Sequence, residues 1–222
     1  MNSVRSRGFT FVELIVSTAI MLAITASMFG FVNSARSAFA TDLERADMQQ
    51  RVRVAMDSLF RDLVMAGAGG QVPAVAPFRR GDTNADVPGA AFSDRVSVRY
   101  VPPNKTEGEA AVITYAFVSN GIGAPKLTKY DGRVTELPVI DEVAGLHIDY
   151  FDASGLLIPL GRFTDGPWVP DGASPDRFDA DLQQIRRVRA RVRVRPARMF
   201  VGLHLQDLDA VIDVAPRNLN LR

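Results

Sequence analysis

The chain has no cysteine. That excludes disulfides, thiolate metal sites and cysteine nucleophiles. It does not exclude an exported location, because a domain of this size is stable without bridges. Histidine is almost as scarce, with His147 and His204 the only two. They lie far apart, and neither has a second ligand at zinc-like spacing, so each reads as an ordinary surface or core residue. The single tryptophan, Trp168, sits in a Gly-Pro loop, where it packs the loop or anchors a partner. There is no G-x-S-x-G, no Walker loop and no H-E-x-x-H. Neither an enzyme nor a cofactor or metal is expected on this showing. Net charge is nearly absent too, at +1 from 26 basic and 25 acidic residues. Such a balance gives no global drive toward nucleic acid.

Proline is missing from Phe9 to about Ala66. A continuous helix over that stretch would run roughly 85–90 Å, far more than a bilayer is thick. Its start is distinctive. Arg5, Arg7 and Gly8 form a short basic leader, Phe9-Thr10-Phe11-Val12-Glu13 follow, and residues 14–32 carry no charge. A charge inside a spanning segment costs roughly 2.5–3.5 kcal/mol on insertion scales. A lone carboxylate there implies function and a positive partner, and a helix N-terminus also favours it. Two plainer readings compete. One is a secretory signal cut at Ala38-Phe39-Ala40, but the apolar run is too long and Arg36 interrupts. The other is a simple signal anchor, with Glu13 reaching to the interface. The leader arginines predict a head outside the cytoplasm.

Beyond Arg36 the helical pattern becomes amphipathic. Leu43, Ala46, Val52, Ala55, Met56, Leu59, Leu63 and Ala66 recur at helical spacing, while Arg45, Gln49, Arg53, Asp57 and Arg61 face elsewhere. The economical partner for that stripe is the chain's own sheet. Gly67-Ala68-Gly69-Gly70 supplies the stop. Only Gly30 would loosen the apolar half.

Residues 71–94 are rich in Pro, Gly and Asp and read as an irregular connection. Strands are predicted at 95–101, 111–118, 126–130, 133–137, 143–151, 156–160, 185–195 and 209–214. Asp131-Gly132 signals one hairpin and Asp152-Ala153-Ser154-Gly155 a second. A long helix followed by antiparallel strands is an α+β arrangement.

Two surface features invite function. In 185–195 the valines and Ala190 alternate with Arg187, Arg189, Arg191, Arg193 and Arg195, which puts five guanidiniums on one strand face. That face is either a solvated surface paired with acids such as Asp149, or a docking face for an acidic subunit. Nucleic acid fits less well, since no aromatics interleave. Asp165, Asp171, Asp176, Asp179 and Asp181 lie in a Gly/Pro-rich loop. Calcium takes such oxygen ligands, but the spacing is not that of an EF-hand, and aspartate also simply favours turns.

Arg7-Gly8-Phe9-Thr10-Phe11-Val12-Glu13 resembles the class III signal of type IV prepilins and type II secretion pseudopilins. The family usually has Leu where this chain has Phe11. The resemblance implies cleavage by a prepilin peptidase between Gly8 and Phe9, then N-methylation of Phe9. It implies that Glu13 meets the N-terminal ammonium of a neighbouring subunit. Loss of residues 1–8 removes two of the 26 basic residues and leaves 24 against 25 acidic, a net −1 apart from the termini.

The likeness extends weakly into the head. The junction Leu59-Phe60-Arg61-Asp62-Leu63-Val64-Met65-Ala66-Gly67 followed by Gly69-Gly70, the hairpin over 143–155, the strand 186–194 and the ending Pro216-Arg217-Asn218-Leu219 resemble PilW-type minor pilins, which are related to J-type pseudopilins. This implies a type IV pilin-like fold, with leader 1–8, transmembrane helix 9–35, amphipathic continuation 36–70 and β-rich periplasmic head 71–222. The implied role is initiation or assembly of a type IV pilus in a tip-associated priming complex. Its implied partners are the prepilin peptidase, other minor pilins, the major pilin, a tip adhesin and inner-membrane lipid, but no nucleic acid. A J-type pseudopilin is the alternative, and a membrane-tethered periplasmic enzyme or binding protein is the reading from another class.

Overall fold

The proline-free stretch forms one α-helix, α1, from Phe11 to Met65. The computed structural model describes residues 9–70, 73–77, 94–103, 110–119, 123–131, 137–163, 180–197 and 205–220. The chain divides into two compact units, one ending at Arg45 and one beginning at Ala46.

In the first unit the large apolar side chains are left exposed by the described residues. Phe11 is 77% exposed, Met21 70% and Phe31 77%. The segment is long and apolar enough to cross a membrane. Several of its hydroxyls bond back to their own helix. Thr18 Oγ1 donates to the carbonyl of Leu14 (3.0 Å), Thr25 Oγ1 to Met21 (2.8 Å) and Ser27 Oγ to Ala23 (2.8 Å). In a solvent that offers no hydrogen bonds, internal satisfaction is the condition for stability. The helix passes through Gly30 without a break.

In the second unit the same helix is amphipathic. Met48, Ala55, Leu59, Leu63 and Ala66 are buried, with Val52 and Met56 packed beside them. Two members of the expected stripe lie outside it. Leu43, in the first unit, is 72% exposed. Ala46 is also exposed, since it precedes Met48 by two residues, or about 200° around the helix. The glycine stop is realised as expected, with Gly67, Gly69 and Gly70 all at φ between 72° and 78°. A Cβ on Gly69 would also strike Val101 at 2.7 Å. The stop is stitched to the following strand by Gly67 N–H to Arg99 O (2.9 Å) and Val101 N–H to Ala68 O (2.9 Å).

Among the described residues nine strands follow: β1 (Val75–Ala76), β2 (Arg95–Tyr100), β3 (Ala111–Val118), β4 (Lys126–Tyr130), β5 (Leu137–Asp141), β6 (Val143–Phe151), β7 (Leu157–Ile158), β8 (Arg187–Val194) and β9 (Leu208–Val214). They make two antiparallel sheets, ordered β1-β2-β3-β4-β5 and β7-β6-β8-β9. The chain moves from one sheet to the other at Glu142, a non-glycine residue at φ 53°. One hydrophobic cluster takes in the helix stripe and strands of both sheets. The architecture is α+β, one long N-terminal apolar helix with antiparallel sheets, and is compatible with a pilin-like fold.

Three expectations are corrected. The connection 71–94 contains β1, which pairs Val75 with Val98 and buries both. Of the strand expected at 133–137 only Leu137 is described, and the described partner of β4 is Leu137–Asp141. Its register sets Ile140 opposite Leu127, two buried side chains, and Leu137 opposite Lys129, where a two-residue turn at Asp131-Gly132 would set it opposite Lys126. The expected strand at 156–160 shrinks to Leu157–Ile158, because Pro159 ends it. The second hairpin holds. Asp152 Oδ1 accepts from Ser154 N–H (2.8 Å) and Leu156 N–H (2.9 Å), and Gly155 takes φ 81°.

A buried polar cluster fixes helix to sheet. Asp62, 4% exposed, accepts from the Tyr115 hydroxyl (2.6 Å) and from Lys129 Nζ (2.6 Å), while Ser58 Oγ meets the same hydroxyl at 2.7 Å. Burial and the Asp62 carboxylate push the Tyr115 hydroxyl well above the usual tyrosine range, so it stays a donor. Asp62→Ala strands the Lys129 ammonium and the Tyr115 hydroxyl. We expect it to cost about 3–5 kcal/mol, and Asp62→Asn clearly less, read as shifts of the chemical-denaturation midpoint.

Candidate functional site

The first turn of α1 is built from Thr10 and Glu13. Glu13 Oε2 accepts from Thr10 N–H (3.0 Å) and from Thr10 Oγ1–H (2.9 Å). Glu13 N–H returns a longer bond to Thr10 Oγ1 (3.3 Å), and Leu14 N–H reaches Thr10 O (3.2 Å). This is a Thr-x-x-Glu capping box, which satisfies otherwise orphaned helix N–H groups. Phe9 and Phe11 flank it, 84% and 77% exposed. Gly8 lies outside the described residues, so the proposed processing junction is described only on its Phe9 side. The structure therefore gives Glu13 a partner on its own helix, Thr10. The T-x-x-E spacing was the sequence signal for that role.

Among the described residues this carboxylate has two hydrogen-bond donors, both on Thr10, and no cation beside it. Each carboxylate oxygen accepts about two bonds, so capacity remains for a further donor. A neighbouring ammonium would supply both a donor and the missing charge.

The second candidate is the outer face of the four-stranded sheet. As expected, Val188, Ala190, Val192 and Val194 point inward, all 0% exposed, and the arginines point outward. Four of the five guanidiniums have acidic partners, which for three of them stand on β9. Arg193 is bidentate on Asp209, with Nε at 2.7 Å and an Nη at 3.0 Å. Arg189 binds Asp213 at 2.9 and 3.2 Å, and Arg187 Nε lies 3.5 Å from the same carboxylate. Arg195 Nε meets Glu142 Oε2 at 2.9 Å. Arg187 and Arg189 also lie over the Phe151 ring, 4.4 and 4.9 Å from its centroid. Arg191 faces His147 on β6 and Val211 on β9, with no acid opposite it. The expected acid, Asp149, engages His147 Nε2 at 3.0 Å. The arginine row is thus largely neutralised, chiefly by β9, whose acids the alternation of β8 alone did not reveal.

Asp165, Asp171, Asp176, Asp179, Trp168 and His204 lie outside the described residues. Asp181 is described, and its Oδ1 accepts from Arg162 (2.8 Å) and Gln184 (2.7 Å). Among the described residues no group of three or more His, Cys, Asp or Glu is placed to hold a metal ion.

Compared with known proteins, the chain matches no family model and no curated sequence.

The hydrogen bonds from Arg193 hold the Asp209 carboxyl below the usual carboxylate range. Its stabilising effect is fully present above the ordinary aspartate value of about 4 and fades as pH falls through the lowered one. Asp209→Asn removes that dependence. We expect its thermal midpoint to fall less steeply on acidification than that of the unaltered chain, with the gap between them closing toward low pH. A constant gap down to full protonation would contradict the pairing.

Proposed function

We propose that the chain is a minor pilin, held in the inner membrane by the first part of α1 with its head in the periplasm, and assembled into or initiating a type IV pilus. One observation carries this reading. A single unbroken helix is apolar and uncovered in its first unit, carries one carboxylate in its first turn, and in its second unit is built into a β-rich head. The prepilin peptidase would cut between Gly8 and Phe9 and methylate Phe9. Before assembly, Thr10 holds Glu13 and lipid covers the apolar side chains. In the filament, neighbouring helices replace the lipid, and Glu13 takes the ammonium of a neighbour's Phe9. At 4 Å and an effective dielectric of about 20, such a pair attracts by about 4 kcal/mol before desolvation is counted. It works over a short range, so it favours one axial register between subunits. Other minor pilins, the major pilin and a tip adhesin are the partners the head would meet.

The test is the mass of the N-terminal peptide from the membrane-bound protein, with and without the prepilin peptidase. Methylated Phe9 at the N-terminus, lost without the enzyme, is the expected result. An intact Met1 or a start at Thr41 would sink the proposal. Glu13→Ala should then be processed and inserted normally yet fail to enter filaments. Normal incorporation would reduce the segment to an anchor. Whether deletion abolishes surface pili or type II secretion separates the pilus from the J-type pseudopilin alternative.

A further inference from the structure

A sheet edge is a row of unpaired amide donors and acceptors, and folded chains protect it by shortness, proline, bulges or charge. Three of the four edges here are protected. β1 and β7 are two residues each. β5 carries Pro138 and pairs with β4 through a register shift between Leu127 and Thr128. β9 lacks the first three of these devices, and its two charges, Asp209 and Asp213, are engaged by Arg193 and Arg189 of β8. It runs seven residues, Leu208–Val214, without proline or lysine, and in unbroken register with β8. Among the described residues β8 alone pairs with it.

The layer beneath β9 is also unfinished. Leu208, Ala210 and Ile212 face inward but are only half-buried, unlike Val214 at the end of β9 and every inward residue of β8. A further strand would complete both the hydrogen-bond ladder and this apolar row.

The outer face sets the charge of what comes next. Across the sheet, Asp149, Arg189 and Asp213 are cross-strand neighbours, so the row alternates in sign and ends on a carboxylate. The row through Gly145 and Arg193 ends on Asp209. Each Asp209 oxygen takes one bond from Arg193, which leaves capacity toward the open edge. A second copy pairing antiparallel through β9 about Val211 would set Asp209 against Asp213, like charges directly opposite.

We propose that the edge of β9 left unpaired among the described residues docks an extended segment of a different protein, with aliphatic residues facing inward beside Leu208 and Ile212 and basic residues facing outward beside Asp209 and Asp213. This is strand addition, in which main-chain bonds supply affinity and alternate side chains supply specificity. It does not rest on the pilin reading, because it follows from the sheet alone. Within the chain, β8 already shows the complementary pattern on the other side of β9.

A synthetic peptide copying β8, Arg-Val-Arg-Ala-Arg-Val-Arg-Val, is therefore the probe. It is titrated into the isotope-labelled full chain in detergent micelles. The amides of residues 208–214 should shift, alternate ones should exchange about tenfold more slowly, and added salt should weaken binding. A peptide of the same composition with its arginines in one block should not bind there. The double substitution Asp209→Asn with Asp213→Asn should weaken the copy peptide about tenfold. Should that variant unfold, the salt dependence on the unaltered chain tests the same charge requirement. Equal binding of the blocked peptide, shifts confined to the outer arginine face, or β9 amides already protected without peptide would overturn the proposal. Concentration-dependent broadening of β9 signals in the chain alone would make a second copy the occupant and overturn it equally.

Discussion

Everything in this chain depends on one helix meeting two different demands. The first unit of α1 exposes apolar side chains that no described residue covers, a surface long and apolar enough to be covered by a membrane. The second unit buries a stripe in its own core. A break would expose amide groups, and in lipid each unsatisfied group costs several kcal/mol. The absence of proline over 55 residues, and hydroxyls that bond back to their own helix, are the sequence-level form of that constraint. The first turn obeys it too, since Thr10 and Glu13 satisfy one another where the ladder begins.

The stripe alone would not fix how the helix sits on the sheet. Ala55, Leu59, Leu63 and Ala66 repeat every three or four residues, so a shift of one turn would still bury apolar side chains. Asp62 does not repeat. Its carboxylate meets Tyr115 and Lys129, side chains from adjacent strands β3 and β4, and both contacts fail if the helix slides by a turn, about 5.4 Å. Buried ionic groups are weak evidence for net stability and better evidence for a unique arrangement. Here the charge selects one register from several that hydrophobicity would accept.

Most of the backbone was legible in the sequence, because periodicity is local. The proline-free helix, the glycine stop, the strands β3 and β6, and the alternation of β8 each follow from a run of neighbouring residues. What was missed is set by distant partners. Asp62 reads as one more charged helix residue until Tyr115 and Lys129 are known to face it. β5 lies where Ile140 meets Leu127, which outweighed the Asp131-Gly132 turn signal. The acids that answer the arginine row stand on β9, about twenty residues further along, and no spacing rule connects them to β8. At the N-terminus the position of Glu13 was legible and its present partner was not, although Thr10 stood at capping-box spacing.

Glu13 and the arginine row share a property that bears on recognition. Each charged group already has a partner within the chain: Glu13 has Thr10, and four arginines have Asp209, Asp213 and Glu142. A new partner at such a group gains only the difference between two satisfied states, since the old hydrogen bonds must be given up. For Glu13 that difference favours a cation, because Thr10 offers hydrogen bonds but no charge. For Arg187, Arg189, Arg193 and Arg195 it is small, because the partner to be displaced is already a carboxylate. The arginine face therefore gains little from an acidic surface, and Asp209 and Asp213, engaged by those arginines, add selectivity for a basic strand more than affinity. The main-chain groups along the outer edge of β9 have no such competitor within the described structure, and an incoming strand there would displace only water.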